Sequence, residues 1–106
     1  MKGKANHFEI HVAKPDETVP FYRELLQYFE WNVLDEWPGG LGISDGGVSL
    51  WLMTTPAEHA NNAFDRDATG LSHFGIHLGS REGVDTFVEE RSLIRQEPDL
   101  NPIQKP

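Results

Sequence analysis

Apolar and polar residues alternate through residues 7–13, His-Phe-Glu-Ile-His-Val-Ala. A period of two predicts a strand, with Phe8, Ile10 and Val12 on one face and His7, Glu9 and His11 on the other. Lys14-Pro15-Asp16 is a turn, and Asp16 or Thr18 is suited to cap the helix that follows. Pro20 then falls in or near the first turn, where a missing N–H costs least. Phe21, Leu25 and Tyr28, with Tyr22, Leu26 and Phe29, form a broad apolar stripe at helical spacing. Residues 31–37 read as a second strand, ended by Pro38-Gly39-Gly40. Residues 41–44 are a short third strand. Asp45-Gly46-Gly47 is a hairpin turn into a fourth strand at 48–54. The first half of the chain is therefore β-α-β-β-β.

The opening then returns. Residues 73–78, His-Phe-Gly-Ile-His-Leu, restate residues 7–12. The correspondence extends further: Asp16 matches Glu82, Phe21 matches Phe87 and Glu24 matches Glu90. One supersecondary unit used twice gives such self-similarity. Residues 71–78 are expected to form a strand, and Ser80 can cap a second helix with Val84, Phe87, Val88 and Leu93 or Ile94 facing inward. Pro98, Pro102 and Pro106 punctuate the final stretch, which shows no strand alternation. The second repeat thus reads as β-α and a tail, without three closing strands. The 106 residues divide into a first module at 6–54, a linker at 55–70, a partial second module at 71–95 and a tail at 96–106, all within one domain.

Composition narrows the partners. The chain has 17 acidic and 9 basic residues and a net charge of −8. Nucleic-acid binding is disfavoured, because phosphate backbones need clustered Lys and Arg. A cationic ligand is mildly favoured over an anionic one. The absence of cysteine excludes disulfides, thiolate metal sites and cysteine nucleophiles. The opening Met-Lys-Gly-Lys-Ala-Asn holds no apolar signal core, and residues 48–53, the longest apolar stretch, are too short to span a bilayer. A cytoplasmic location without membrane association is the default expectation. There is no nucleophile motif, phosphate-binding glycine loop or Rossmann fingerprint, so no catalytic residue is assigned.

The polar face is the chemical clue. Four histidines (His7, His11, His73 and His77) and Glu9 share one side of the repeated strand, a poor filling for a dry core. A solvent-lined cup accounts for them better. Trp51 lies on the fourth strand, where an aromatic ring can line a ligand groove. Glu9, His11, Trp51 and His77 are accordingly candidate ligand-pocket residues, although for each one alone a plain structural role is the commoner explanation.

Several ordered segments resemble the vicinal-oxygen-chelate superfamily, which includes glyoxalase I, extradiol dioxygenases, fosfomycin-resistance transferases and bleomycin-resistance proteins. Asn6-His7-Phe8-Glu9-Ile10-His11-Val12 is similar to its opening strand, and Phe21-Tyr22-Arg23-Glu24-Leu25-Leu26 to its helix. Leu41-Gly42-Ile43-Ser44-Asp45-Gly46-Gly47-Val48-Ser49-Leu50-Trp51-Leu52 resembles the closing strand-hairpin-strand. Phe64-Asp65-Arg66 followed by Gly70-Leu71-Ser72-His73-Phe74-Gly75-Ile76 resembles the passage into the second module. The usual glycine after the paired leucines is Gln27 here, so the helix is expected to run on to Phe29.

The resemblance implies an α+β fold of paired βαβββ modules, glyoxalase-like, with the second module incomplete. It also implies that His7 and His73 stand where relatives bind a divalent ion, for which Mn, Fe, Co, Ni or Zn would suit imidazole and carboxylate ligands. The carboxylates do not follow. Ser49 lies in the strand where some relatives carry glutamate, and the strand supplying the second glutamate has no counterpart. Three functions stay open: a metal-free small-molecule-binding protein similar to bleomycin-resistance proteins, a metal-dependent lyase, dioxygenase or resistance transferase, and a degenerate domain with only an oligomerisation role. A half-module leaves apolar sheet surface and a strand edge exposed, so a homodimer is expected.

Overall fold

The computed structural model of the chain describes residues 1–94. The expected tail at 96–106 lies outside the described residues. The elements are β1 (His7–Val12), α1 (Pro15–Tyr28), β2 (Asn32–Trp37), β3 (Gly40–Ser44), β4 (Ser49–Thr54) and α2 (Arg81–Glu90). Single 3₁₀ turns follow β4 at Ala57–His59 and α2 at Arg91–Leu93. The four strands form one sheet in the order β1-β4-β3-β2. β1 runs parallel to β4, while β3 is antiparallel to both β4 and β2. This is one complete βαβββ module and part of a second, an α+β fold of the glyoxalase type.

Alternation sets the two faces of the sheet. Leu41 and Ile43 on β3, with Leu50 and Leu52 on β4, are fully buried against α1. Val12, Val19, Leu26 and Trp31 complete that core. On β1 the apolar positions turn inward and His7, Glu9 and His11 are exposed, as the alternation predicts. The β2–β3 register slips between Val33 and Asp35. The extra residue, Leu34, is 56% exposed, as expected of a bulged residue released from the ladder.

Helix α1 begins earlier than its polar residues suggest. Lys14 occupies the cap without a side-chain bond, and its carbonyl accepts from the backbone N–H of Glu17 (3.1 Å) and Thr18 (2.9 Å). Pro15 takes the first helical position, for which its fixed φ is suited. Asp16 and Thr18 therefore lie inside the first turn rather than capping it. Pro20 consequently falls in the second turn, where its ring removes a backbone donor.

The other end of α1 stops on a left-handed residue. Glu30 has φ +66°, a region that a side chain with a Cβ enters at a cost of about 1–2 kcal/mol. Its N–H reaches the Gln27 carbonyl (2.9 Å), and the Trp31 N–H reaches that of Leu26 (2.9 Å). That pair of bonds is a Schellman closure, and the buried Trp31 and Leu26 side chains provide its hydrophobic clasp. The helix ends at Tyr28 with Phe29 as the cap, one residue before the expected end.

Ser80 caps α2 as expected, its Oγ accepting from the Gly83 N–H at 3.1 Å. Phe87 is buried and packs its ring on Tyr28 and Phe29, with centroids 5.7 and 5.0 Å apart. Ile94 is also buried. The Tyr28 hydroxyl donates to the Glu90 carboxylate, which ties the two helices together. That hydrogen bond, with lesser contributions from desolvation and the Glu90 charge, raises the Tyr28 pKa.

Residues 71–78 do not form the expected strand. Strand formation needs a neighbour. In the first module β1 bonds to β4, but no counterpart of β4 follows α2 among the described residues. Instead the segment rests on the first module through side chains, with the Phe74 ring edge-on to Phe8 at 5.2 Å.

Replacing Glu30 with glycine removes the left-handed penalty but gives the unfolded chain more freedom. Urea denaturation is expected to show Glu30→Gly more stable by about 0.5 kcal/mol, and Glu30→Val less stable by about 1 kcal/mol.

Candidate functional site

The face of the sheet turned away from α1 carries the polar residues of β1, and strand pairing arranges its side chains in rows. His7 pairs with Ser49, Glu9 with Trp51 and His11 with Met53. Ser49 continues to Ser44 and Trp51 to Gly42. From there Ser44 pairs with Asn32, Gly42 with Asp35 and Gly40 with Trp37. Partners across a ladder share a face. Three rows of different chemistry therefore cross the open face: imidazole and hydroxyls, carboxylates around an indole, and a second indole beside Met53.

Two glycines shape this face. A Cβ on Gly42 would lie 2.3–2.6 Å from the six-membered ring of Trp51, and one on Gly40 would lie 2.1–2.4 Å from the Trp37 ring. Both tryptophans thus lie flat on bare β3 backbone. Their ring centroids lie 6.2 Å apart with 27° between planes, so the two rings adjoin over the strand. The Trp51 indole N–H donates to Ser49 Oγ at 3.0 Å, which fixes the ring's direction along the strand.

Beside this platform, Asn6, His7, Glu9, Ser49 and Trp51 line an open hollow of about 340 Å³. The His7 Nδ1 lies 2.6 Å from Asn6 Oδ1. With Nδ1–H donating to that oxygen, the neutral ring carries its lone pair on Nε2. A second hollow, of about 700 Å³, lies on the helix side between the end of α1, residues 74–78 and α2. Phe8, Phe29, Phe74 and Phe87 are among its lining residues, as is His77, whose Nδ1 accepts from the Gly79 N–H at 2.8 Å. Asp45 borders it too. Its carboxylate closes the β3–β4 hairpin by accepting from Val48 N–H (2.8 Å) and Gly47 N–H (2.7 Å), and these bonds hold its pKa below the ordinary aspartate value.

The residues singled out from sequence are therefore divided. His7, Glu9 and Trp51 come together around one hollow. His11 follows them on the same face of β1 and lines neither hollow, while His77 belongs to the other. His73 is exposed, with Ser72 Oγ 3.3 Å from its Nδ1, and borders neither. Among the described residues, no three His, Asp or Glu side chains converge as a metal shell requires. The ladder partner of His7 is Ser49, a poor ligand for a divalent ion. Among the described residues, the donor set therefore falls short of the shell that the implied metal needs.

Sequence reasoning missed Gly40, Gly42 and Asp35, and left Trp37 out of the candidate set. Gly40 reads as part of a turn but is the first residue of β3. The usable signal was glycine at alternate positions of a strand, which marks close approach by something else.

The strand order and module structure define a fold of the vicinal-oxygen-chelate, or glyoxalase, type. The crystal structure of a "putative glyoxalase" from Bacillus halodurans superimposes with a TM-score of 0.79 at 28% identity, covering 87% of this chain and 69% of that one. No protein-family model matches the chain, and no curated protein matches it. No helix among the described residues is long and apolar enough to cross a membrane.

If the glycines exist to seat the indoles, Gly42→Ala must lift the Trp51 ring. Circular dichroism is expected to show loss of the coupled signal of two neighbouring indoles, with a stability loss of about 1–3 kcal/mol by overpacking. An unchanged spectrum would mean that the rings do not rest on β3.

Proposed function

We propose that the protein is a small-molecule-binding member of the glyoxalase-type fold, and that it binds its ligand without a metal on the open face of the sheet. The observation that carries this reading is the platform itself. Two large aromatic rings lie flat over bare backbone beside a hollow lined by His7 and Glu9. Aromatic surface next to a few convergent polar groups is the usual make-up of a ligand site. Indole signals test the reading, because Trp37 and Trp51 lie on this face while Trp31 is in the core. A fragment screen followed by nuclear magnetic resonance is expected to yield ligands that shift the Trp37 and Trp51 indole resonances and spare Trp31. Ligands perturbing residues 74–78 and Phe87 instead would move the site to the helix-side hollow.

A metal-dependent enzyme is the second reading, favoured by His7 at the start of β1, whose Nδ1 lies against Asn6 Oδ1 and would leave Nε2 to ligate. Metal analysis of tag-free protein, after incubation with Mn, Ni, Zn and Fe(II), separates the two. The binding-protein reading expects well below one equivalent retained. Near-stoichiometric metal that disappears in both His7→Ala and His73→Ala would overturn it in favour of the enzyme.

The homodimer belongs to the same proposal. Exposed Phe64 (75%), Leu71 (58%) and Phe74 (37%) support it, since apolar side chains so placed gain from a covering partner. Sedimentation equilibrium at micromolar concentration is expected to give twice the 12.0 kDa chain mass. A stable monomer would remove the dimer and leave the site on one chain.

A further inference from the structure

We propose that the open face selects flat organic cations, seated on the Trp37–Trp51 platform with Glu9 and Asp35 at its flanks. The inference rests on the small-molecule reading above and adds the charge and shape of the ligand.

One row of the sheet carries the argument. Reading across the strands, it runs Glu9, Trp51, Gly42, Asp35. The indole thus lies between two carboxylates and directly on a residue without a side chain. Gly42 occupies the underside of the Trp51 six-membered ring. Trp51 is half-buried, with Gly42 under its six-membered ring and solvent reaching the rest of the side chain. The indole N–H is already spent on Ser49 Oγ. What the ring offers a ligand is therefore its negative π face, which attracts cations.

The carboxylates add to the same preference. Among the described residues, neither Glu9 nor Asp35 forms an ion pair with Lys or Arg. Glu36, the neighbour of Asp35, is held by Arg23 at 2.8 Å, and its ladder partner Leu41 places that pair on the helix side. The net charge of −8 biases the approach of a cation further.

Geometry decides between an ion and an extended cation. Glu9 and Asp35 stand on the first and last strands of the sheet, about 14 Å apart at the backbone by strand spacing. That separation is too wide for both to chelate one metal ion. It suits a ligand spanning the platform, which the second ring extends at 6.2 Å and a 27° tilt. The ligand class is a flat, delocalised cation of about two fused rings.

Three probes of similar size test this at pH 7.5: 1-methylquinolinium (cation), quinoline (neutral) and 1-naphthoate (anion). Each is titrated into the full chain while the indole resonances are followed. The cation is expected to bind saturably, about 10-fold more tightly than quinoline, with 1-naphthoate weakest. Glu9→Gln and Asp35→Asn change exposed side chains, and each is expected to weaken the cation several-fold while leaving quinoline unchanged. Trp51→Leu should remove binding of both. Added salt should weaken the cation alone.

Equal affinity for cation and quinoline, insensitive to the two carboxylate variants, would overturn the charge selection while leaving a small-molecule site on this face. Fragment ligands on the face with none of the three probes binding would overturn the flat-cation class in the same way. If fragments also fail to shift Trp37 and Trp51, the small-molecule reading falls with it.

Discussion

The parallel pairing of β1 with β4 is the constraint on which the rest of the module depends. Backbone bonds bracket it at both ends, from Ser49 N–H to Asn6 O (3.0 Å) and from Thr55 N–H to Val12 O (2.9 Å). Parallel neighbours cannot be joined by a tight turn, so the chain must cross over between them. Here the crossover is α1, β2 and β3. It lays the helix on one face of the sheet and puts the next two strands at its far side. Leu41, Ile43, Leu50 and Leu52 then meet α1, and the alternate residues of β3 and β4 are turned to the opposite face. The platform and the polar row of β1 are products of that single register.

The second copy of the opening sequence shows what the pairing contributes. His-Phe-Glu-Ile-His-Val folds as a strand, while His-Phe-Gly-Ile-His-Leu, nearly the same string, does not pair. Local preference is similar in the two, with Gly75 in place of Glu9 the main difference. What differs more is the neighbour. The first string has β4 beside it, and among the described residues the second has side-chain contacts alone, through Phe74 on Phe8 and through the helix that follows it. Strand propensity is mostly a statement about fitting between partners, and these two segments illustrate it within one chain.

Much of the fold was legible because the first module obeys simple periods. The alternation of residues 7–12, the helical stripe from Phe21 to Phe29 and the Asp-Gly-Gly turn all lead to elements close to where the pattern puts them. The errors have local causes. Proline at the first helical position outcompeted the polar caps, and the Leu26–Trp31 clasp forced Glu30 into a left-handed turn that no side-chain pattern announces. The site was read in part. Histidine and glutamate on β1 are conspicuous, and Trp51 follows from its strand. The pairing that places Asp35 level with Glu9 depends on a bulge at Leu34, which sequence periodicity does not reveal. His77 was expected on the open face with His7 and Glu9 but borders the helix-side hollow, because the strand that would carry it does not form.

The seating of indoles on glycines also restricts how this surface can change. A side chain at position 42 and the ring of Trp51 claim the same space, as do one at position 40 and the ring of Trp37. Neither glycine can grow without displacing its tryptophan, yet either tryptophan can shrink first and leave a void on an open surface, where a void costs little. The route from this face to another is therefore directional. Directed evolution that aims to reshape it would find its first steps at 37 and 51, with 40 and 42 becoming variable only afterwards. The two pairs should behave as coupled characters, inherited together or lost in a fixed order.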